Sequence, residues 1–310
     1  MTLDELRFYI APPQVTFFQT STELSTGREV VHIVGVPMDD TVSYRPGTRF
    51  APQILRQLSP YVEYTTSRGT VLDVMRHVRD LGDIVLYQGD VNKNIDRISR
   101  VAKLLNTYNI NVLFVGGEHT ITYAIARTFN NVKLLLIYFD AHLDFRNEWP
   151  LGQRYSHATH VRRLVEECDN VYVINIGARA YDIEEISEIR NRNNIKVISL
   201  DYIRDMPIGS ISKMLYDIKR SFKPDIVYIS IDVDVLRPEI VTTSNPEGDG
   251  LSYYQLYTIL DTVMKIVGDK VRLVDIVEYN PMINSDRSSG VTVLKLIIDI
   301  VDLLCLYSLC

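Results

Sequence analysis

Short runs of β-branched and other apolar residues alternate along this chain with longer stretches in which apolar positions recur every three or four residues. The runs at 30–36, 111–116, 132–140, 170–177, 196–200, 225–232 and 271–278 are short and nearly continuous, which predicts strands covered on both faces. Stretches such as 95–108 and 252–267 carry an apolar stripe at helical spacing and predict amphipathic helices. This alternation predicts an α/β protein with a mostly parallel sheet and helices on both of its faces. No linker rich in proline, glycine or serine, no repeat and no low-complexity segment divides the 310 residues, so a single domain, 1–310, is expected.

The last stretch, VTVLKLIIDIVDLLCLYSLC, is apolar enough to suggest a membrane span. Lys295, Asp299 and Asp302 interrupt it along one helical face, which predicts an amphipathic helix packed on a core instead. The first ten residues lack a basic-then-apolar signal pattern, so export is not expected. Cys168, Cys305 and Cys310 form no CxxC pair and no even framework, which suits a reducing cytoplasm. A net charge of −6 with dispersed basic residues argues against a nucleic-acid partner.

In a parallel sheet the ligand site lies beyond the carboxyl ends of the strands. Four predicted strands here end in reactive side chains: His119 in GGEHT, then Asp140, His142 and Asp144 in DAHLD, then Asp232 and Asp234 in IDVDV, and Glu278 in EYNP. Period-2 geometry points Asp232 and Asp234 to one side of an extended chain, where the like charges need compensation. Arg237 is one candidate partner, but it stands beyond the strand, just before Pro238. A metal is the other, and five carboxylates with two imidazoles are too many close donors for one ion. Two divalent ions would accommodate them. Oxygen plus imidazole without thiolate favours Mn²⁺, with Zn²⁺, Co²⁺ or Fe²⁺ as alternatives, and a water held between two such ions is acidified toward neutrality.

With GGEHT, DAHLD and SIDVDVLRP in this order, and RPGTRFAP upstream, the sequence resembles the ureohydrolase family, which contains arginase and agmatinase. The resemblance runs from 35–56 to 275–281 and implies a three-layer αβα fold with a binuclear manganese centre. It implies one ion held by His119, Asp140, Asp144 and Asp232, and the other by Asp140, His142, Asp232 and Asp234. It also implies hydrolysis of a guanidinium to urea and an amine. Asp144 would take a proton from the attacking water, Glu278 would pair with the substrate guanidinium, and His157 would pass a proton to the leaving amine. A closed homo-oligomer, trimer or hexamer, is implied as well.

The sequence departs from the family pattern at three places: Glu118 where Asp is usual, Arg237 where an Asp normally precedes Pro238, and TSNPEGDGLS in place of a turn richer in glycine and proline. None removes an implied ligand. Arg237 leaves a metal-poor regulatory homologue as an alternative, and a dimetal phosphoesterase is more distant because no basic cluster would clamp phosphate. The linker FRNEWPLGQRYS lacks the asparagine and serine groups with which arginases hold an amino-acid end, and YSHA resembles agmatinases. Agmatine is therefore the expected substrate, giving putrescine and urea. Arg146, Arg154 and Asp182 are the residues with which the chain would instead hold arginine. His32 is expected in the core, and His77 and His160 have no assigned role.

Overall fold

The computed structural model describes residues 3–27, 29–205, 208–283 and 287–307, so Cys310 and the first two residues of the amino-terminal segment lie outside the described residues. Its centre is one nine-stranded sheet. The strands are β1 (Ile10–Ala11), β2 (Val31–Gly35), β3 (Val78–Ile84), β4 (Asn111–Val115), β5 (Leu134–Phe139), β6 (Val171–Ile176), β7 (Ile195–Ile198), β8 (Ile226–Asp232) and β9 (Val271–Val277). They lie side by side as β1-β3-β2-β4-β9-β8-β5-β6-β7. Every pairing is parallel except that of the two-residue edge strand β1 with β3.

The seven predicted strands are present. β3 was not expected: VRDLGDI alternates buried and half-exposed positions and carries charge at Arg79, Asp80 and Asp83. It is tolerated because the buried Arg56 guanidinium reaches Asp80 from Nε at 2.7 Å and from Nη2 at 3.0 Å, and Asp83 from Nη1 at 2.6 Å. A charge-assisted fork of this kind compensates the burial of Asp80.

Side-chain alternation splits the core in two, one on each face of the sheet. Along β5, Leu135, Ile137 and Phe139 join one cluster, whereas Leu134, Leu136 and Tyr138 join the other. The helices Tyr253–Val267 and Ser288–Tyr307 cover the first face. Val91–Thr107, Thr120–Ala126 and His160–Glu167 cover the second, completing three layers.

No described helix is long and apolar enough to cross a membrane. The polar face of Ser288–Tyr307 does not meet open water, however. Asp299 is fully buried and accepts from Ser67, Tyr253 and Lys295, and Arg68 forks onto Asp302 at 2.8 and 2.9 Å. The charges that interrupt the apolar run therefore anchor the loop around Ser67 and Arg68. His32 is in the core as expected. Its Nδ1 donates to the Asn111 carbonyl at 3.3 Å and its Nε2 accepts from the Ser25 amide at 3.0 Å.

Candidate active site

The four strands that end in reactive residues, β4, β9, β8 and β5, are consecutive neighbours in the middle of the sheet. Parallel register brings their carboxyl ends level: Val115 pairs with Ile276, Asp232 with Val277, and Ile231 with Phe139. The next residues of each strand therefore meet at one edge, and His119, Asp140, Asp144, Asp232, Asp234 and Glu278 are all buried there. His142 is partly exposed at the rim.

Asp234 reaches the site by a route other than the one expected. β8 ends at Asp232, and Val233–Val235 is a 3₁₀ turn whose Asp234 amide donates to Asp232 Oδ1 at 2.8 Å. The turn, not period-2 alternation, brings the pair together. Asp140 and Asp234 are tethered in the same way: Asp140 Oδ1 accepts from the His142 amide at 2.6 Å, and Asp234 Oδ1 from the Ala141 amide at 2.9 Å.

Each tethered carboxylate keeps Oδ2 for the site. Asp140 Oδ2 lies 2.9 Å and Asp232 Oδ2 3.4 Å from His119 Nδ1, and Asp144 Oδ2 lies 3.1 Å from the same nitrogen. Asp234 Oδ2 is 2.9 Å from His142 Nδ1. The state of His119 follows from its other nitrogen. Ser230 Oγ donates to Asp275 Oδ1 at 2.6 Å, so it accepts from His119 Nε2–H at 2.9 Å. In its neutral form His119 therefore aims the Nδ1 lone pair at three carboxylate oxygens, and among the described residues neither Nδ1 nor Asp140 Oδ2 has a hydrogen-bond partner.

Lone pairs converging in a buried space require a shared cation. Burial opposes charge on His119, but Asp140, Asp144 and Asp232 outweigh it and push its pKa well above the ordinary histidine range, so a proton and a metal ion compete for Nδ1. Burial, and then the charges of Asp234 and Asp140, push the Asp232 carboxyl well up. For Asp144 burial is outweighed by the adjacent His119 and His160 imidazoles, which hold its carboxyl below the usual range. The donor set thus fits metal. Possible ligand groups are His119–Asp140–Asp232, Asp140–His142–Asp234 and His119–Asp144–His160, with Asp140 common to the first two.

His160 is a site residue that the sequence reading left without a role. It opens the helix His160–Glu167, is fully buried, and places Nδ1 3.1 Å from Asp144 Oδ2 with its ring centroid 4.0 Å from that of His119. Its spacing of three residues from His157, across one turn, is the only sequence signal that could have drawn it in. His77 lies away from the site, where it contacts the Glu29 carbonyl.

A cavity of about 340 Å³ opens over the cluster, and Ser43, Arg146, Trp149, His157, Glu247 and Glu278 are among the residues that line it. Glu278 Oε1 accepts from the His119 amide at 2.8 Å, whereas Oε2 is buried and has no hydrogen-bond partner among the described residues. Burial and the nearby Glu118 charge push the Glu278 carboxyl well up. Both Glu278 and Asp144 have positive φ, 66° and 49°, a strained backbone held by its surroundings. Just past the carboxyl end of β4, the Gly117 φ of +51° and the Met38 carbonyl, 2.3 Å from where a Cβ would stand, leave no room for a side chain. This close approach brings the loop after β2 against GGEHT.

Burial lowers the His157 pKa to about 4. Arg237 does not partner the aspartates: it is exposed and donates to the Gly250 carbonyl at 3.4 Å. Arg146 lies over the Trp149 ring at 4.5 Å and 3.6 Å from Asp182, which also caps the helix Ile183–Ile189. Arg154 turns to Glu166 and Glu167, at 3.4 and 3.6 Å.

A parallel α/β sheet whose central strand ends converge carboxylates and imidazoles on a cavity defines the class as a candidate metal-dependent hydrolase. The Arginase family model matches residues 29–302, and the chain belongs to that family, whose binuclear metal-dependent enzymes hydrolyse guanidino C–N bonds. It is 30% identical over 272 residues to an agmatinase of Pyrococcus horikoshii, covering 86% of this chain and 88% of that protein. The solved agmatine ureohydrolase of Thermoplasma volcanium superposes with a TM-score of 0.77 at 25% identity, covering 98% of each chain. Formimidoylglutamase of Bacillus subtilis shares the fold with a TM-score of 0.83 at 21% identity and 98% coverage of each.

Proposed function

We propose that this chain hydrolyses agmatine to urea and putrescine at a centre of two Mn²⁺ ions. One ion would be held by His119, Asp140, Asp144 and Asp232, the other by Asp140, His142, Asp232 and Asp234. When bound, the ions would supply a water acidic enough to attack a guanidinium carbon at neutral pH. The observation that carries the reading is Oε2 of buried Glu278, which has no hydrogen-bond partner among the described residues and shares a cavity with Asp144, Asp232 and Asp234. A planar cation with N–H donors is its natural partner. Asp144, with Oδ2 3.1 Å from His160 Nδ1, takes the water's proton, and His157 delivers a proton to the departing amine.

Agmatine is favoured over arginine by the state of the linker cations. Arg154 is engaged by two glutamates and does not line the cavity, and Arg146 is paired with Asp182. An α-carboxylate would enter beside the Glu247 carboxylate, which lines the cavity. The relatives named for agmatine agree with this preference. Arginine is the second reading because Arg146 lines the cavity and would hold a carboxylate if it left Asp182. The exposure of Arg237 removes the motive for a metal-poor regulatory homologue. A homo-oligomer, trimer or hexamer, in the cytoplasm completes the proposal. Urea release from agmatine, arginine, guanidinobutyrate and formiminoglutamate with Mn²⁺ present tests the function. The highest kcat/KM is expected for agmatine, and a higher value for arginine that is lost in Arg146→Ala would reassign the substrate.

A further inference from the structure

We propose that Thr41, held from behind by Glu118, is a positioning residue that fixes the proton of His157 on Nδ1 and leaves Nε2 as the nitrogen that serves the reaction. The inference rests on the proton-carrying role given above to His157 and assigns the device that prepares it.

The argument is a count of protons and lone pairs. Glu118 is fully buried, which pushes its pKa up to about 7, and in its carboxylate form it only accepts: from the Thr41 amide at 2.7 Å, from Thr41 Oγ1 at 2.8 Å and from Thr120 Oγ1 at 2.8 Å. A threonine hydroxyl has one proton and two lone pairs. The Thr41 proton points to Glu118, so the lone pairs of Oγ1 remain for His157. One accepts from the His157 amide at 3.1 Å, and the other faces His157 Nδ1 at 3.4 Å. A bare Nδ1 there would set two lone pairs against each other in a buried space, so the proton belongs on Nδ1. Nε2 is then the acceptor, 3.3 Å from the hydroxyl of Ser43, which also lines the cavity.

The arrangement follows the logic of a carboxylate that orients a catalytic imidazole, with a hydroxyl inserted between the two. During turnover Nε2 takes up a proton from solvent water in the cavity and gives that same proton to the nitrogen whose bond to the guanidinium carbon breaks, which returns the imidazole to its neutral form. The Nδ1–H bond to Thr41 is kept throughout. The chain is particular to this sequence in that Glu118 stands where the family usually has Asp, and its longer side chain reaches both the amide and the hydroxyl of Thr41.

Two measurements test this. In the full chain loaded with diamagnetic Zn²⁺, long-range ¹H–¹⁵N correlations, with the His157 signal assigned by its loss in His157→Asn, should show the proton on Nδ1. With Mn²⁺, Thr41→Val should lower kcat by about 10- to 100-fold with KM within about threefold, and Thr41→Ser should keep kcat within about threefold of the parent. In Thr41→Val the tautomer signal should move to Nε2–H or to a mixture. A parent His157 protonated on Nε2, or a folded Thr41→Val with parental kcat, would overturn the assignment. The tautomer is read without substrate, so a wrong substrate assignment leaves this test intact.

Discussion

Ser230→Ala probes the chain Asp275–Ser230–His119 that orients an imidazole toward the site. Ser230 Oγ is fully buried, accepts from His119 Nε2 at 2.9 Å and donates to Asp275 at 2.6 Å. Alanine leaves the Nε2–H without an acceptor, which costs about 1–3 kcal/mol. Asp275 retains Tyr228 and Thr122 as donors, so its share of the loss is smaller. A total near 2.5 kcal/mol lowers the melting temperature of the metal-stripped protein by about 4 °C for a chain of this size. The orienting partner of a metal-ligating histidine is typically worth about 10- to 100-fold in metal affinity, or about 1.4–2.7 kcal/mol. Thermal melts of stripped protein and calorimetric titration with Mn²⁺ separate the two effects. A folded Ser230→Ala that binds Mn²⁺ within about twofold of the parent would refute the claim that Ser230 presents His119 Nδ1 to a metal.

Asp140→Ala or Asp232→Ala should lose metal when measured by elemental analysis of dialysed protein, because each removes a tethered carboxylate from the centre of the cluster. Glu278→Gln should reduce kcat/KM by about 100-fold, since an amide cannot give the charge-assisted pair that a carboxylate gives a guanidinium. Arg146→Ala should leave kcat/KM for agmatine within about threefold of the parent, and a larger loss would show that Arg146 holds part of the substrate. Stability should fall as pH drops from about 6.5 to about 4, because burial lowers the His32 pKa to about 4. Neutral imidazole is favoured in the folded state, so the unfolded chain binds more protons in that window. The loss is about 3 kcal/mol by denaturant titration, and His32→Gln should flatten it.

The central strands and the edge at which they converge were legible because buried parallel strands leave nearly continuous apolar runs, and the chemistry begins where those runs stop. What escaped was set by partners distant in sequence. β3 carries Asp80 and Asp83, charges that break the apolar run a buried strand leaves, and Arg56, far off in sequence, is what neutralises them. His160 meets Asp144 only because its helix packs against Thr120–Ala126 and β6, and a lone histidine at a helix start does not announce that contact. Asp234 is expected beside Asp232 from an extended chain, whereas a turn stabilised by Asp232 is what brings the two together. Arg237 stood one residue past the apolar run, and only the structure shows it facing outward.

The most direct test of the account is urea release by the purified chain, first stripped of metal and then reloaded with Mn²⁺, with bound metal and putrescine measured in the same samples. Two ions per chain, no urea from the stripped protein, and equal amounts of urea and putrescine from agmatine after reloading are the predicted results. A folded chain that binds two ions and releases no urea from agmatine, arginine, guanidinobutyrate or any other guanidino compound would contradict it.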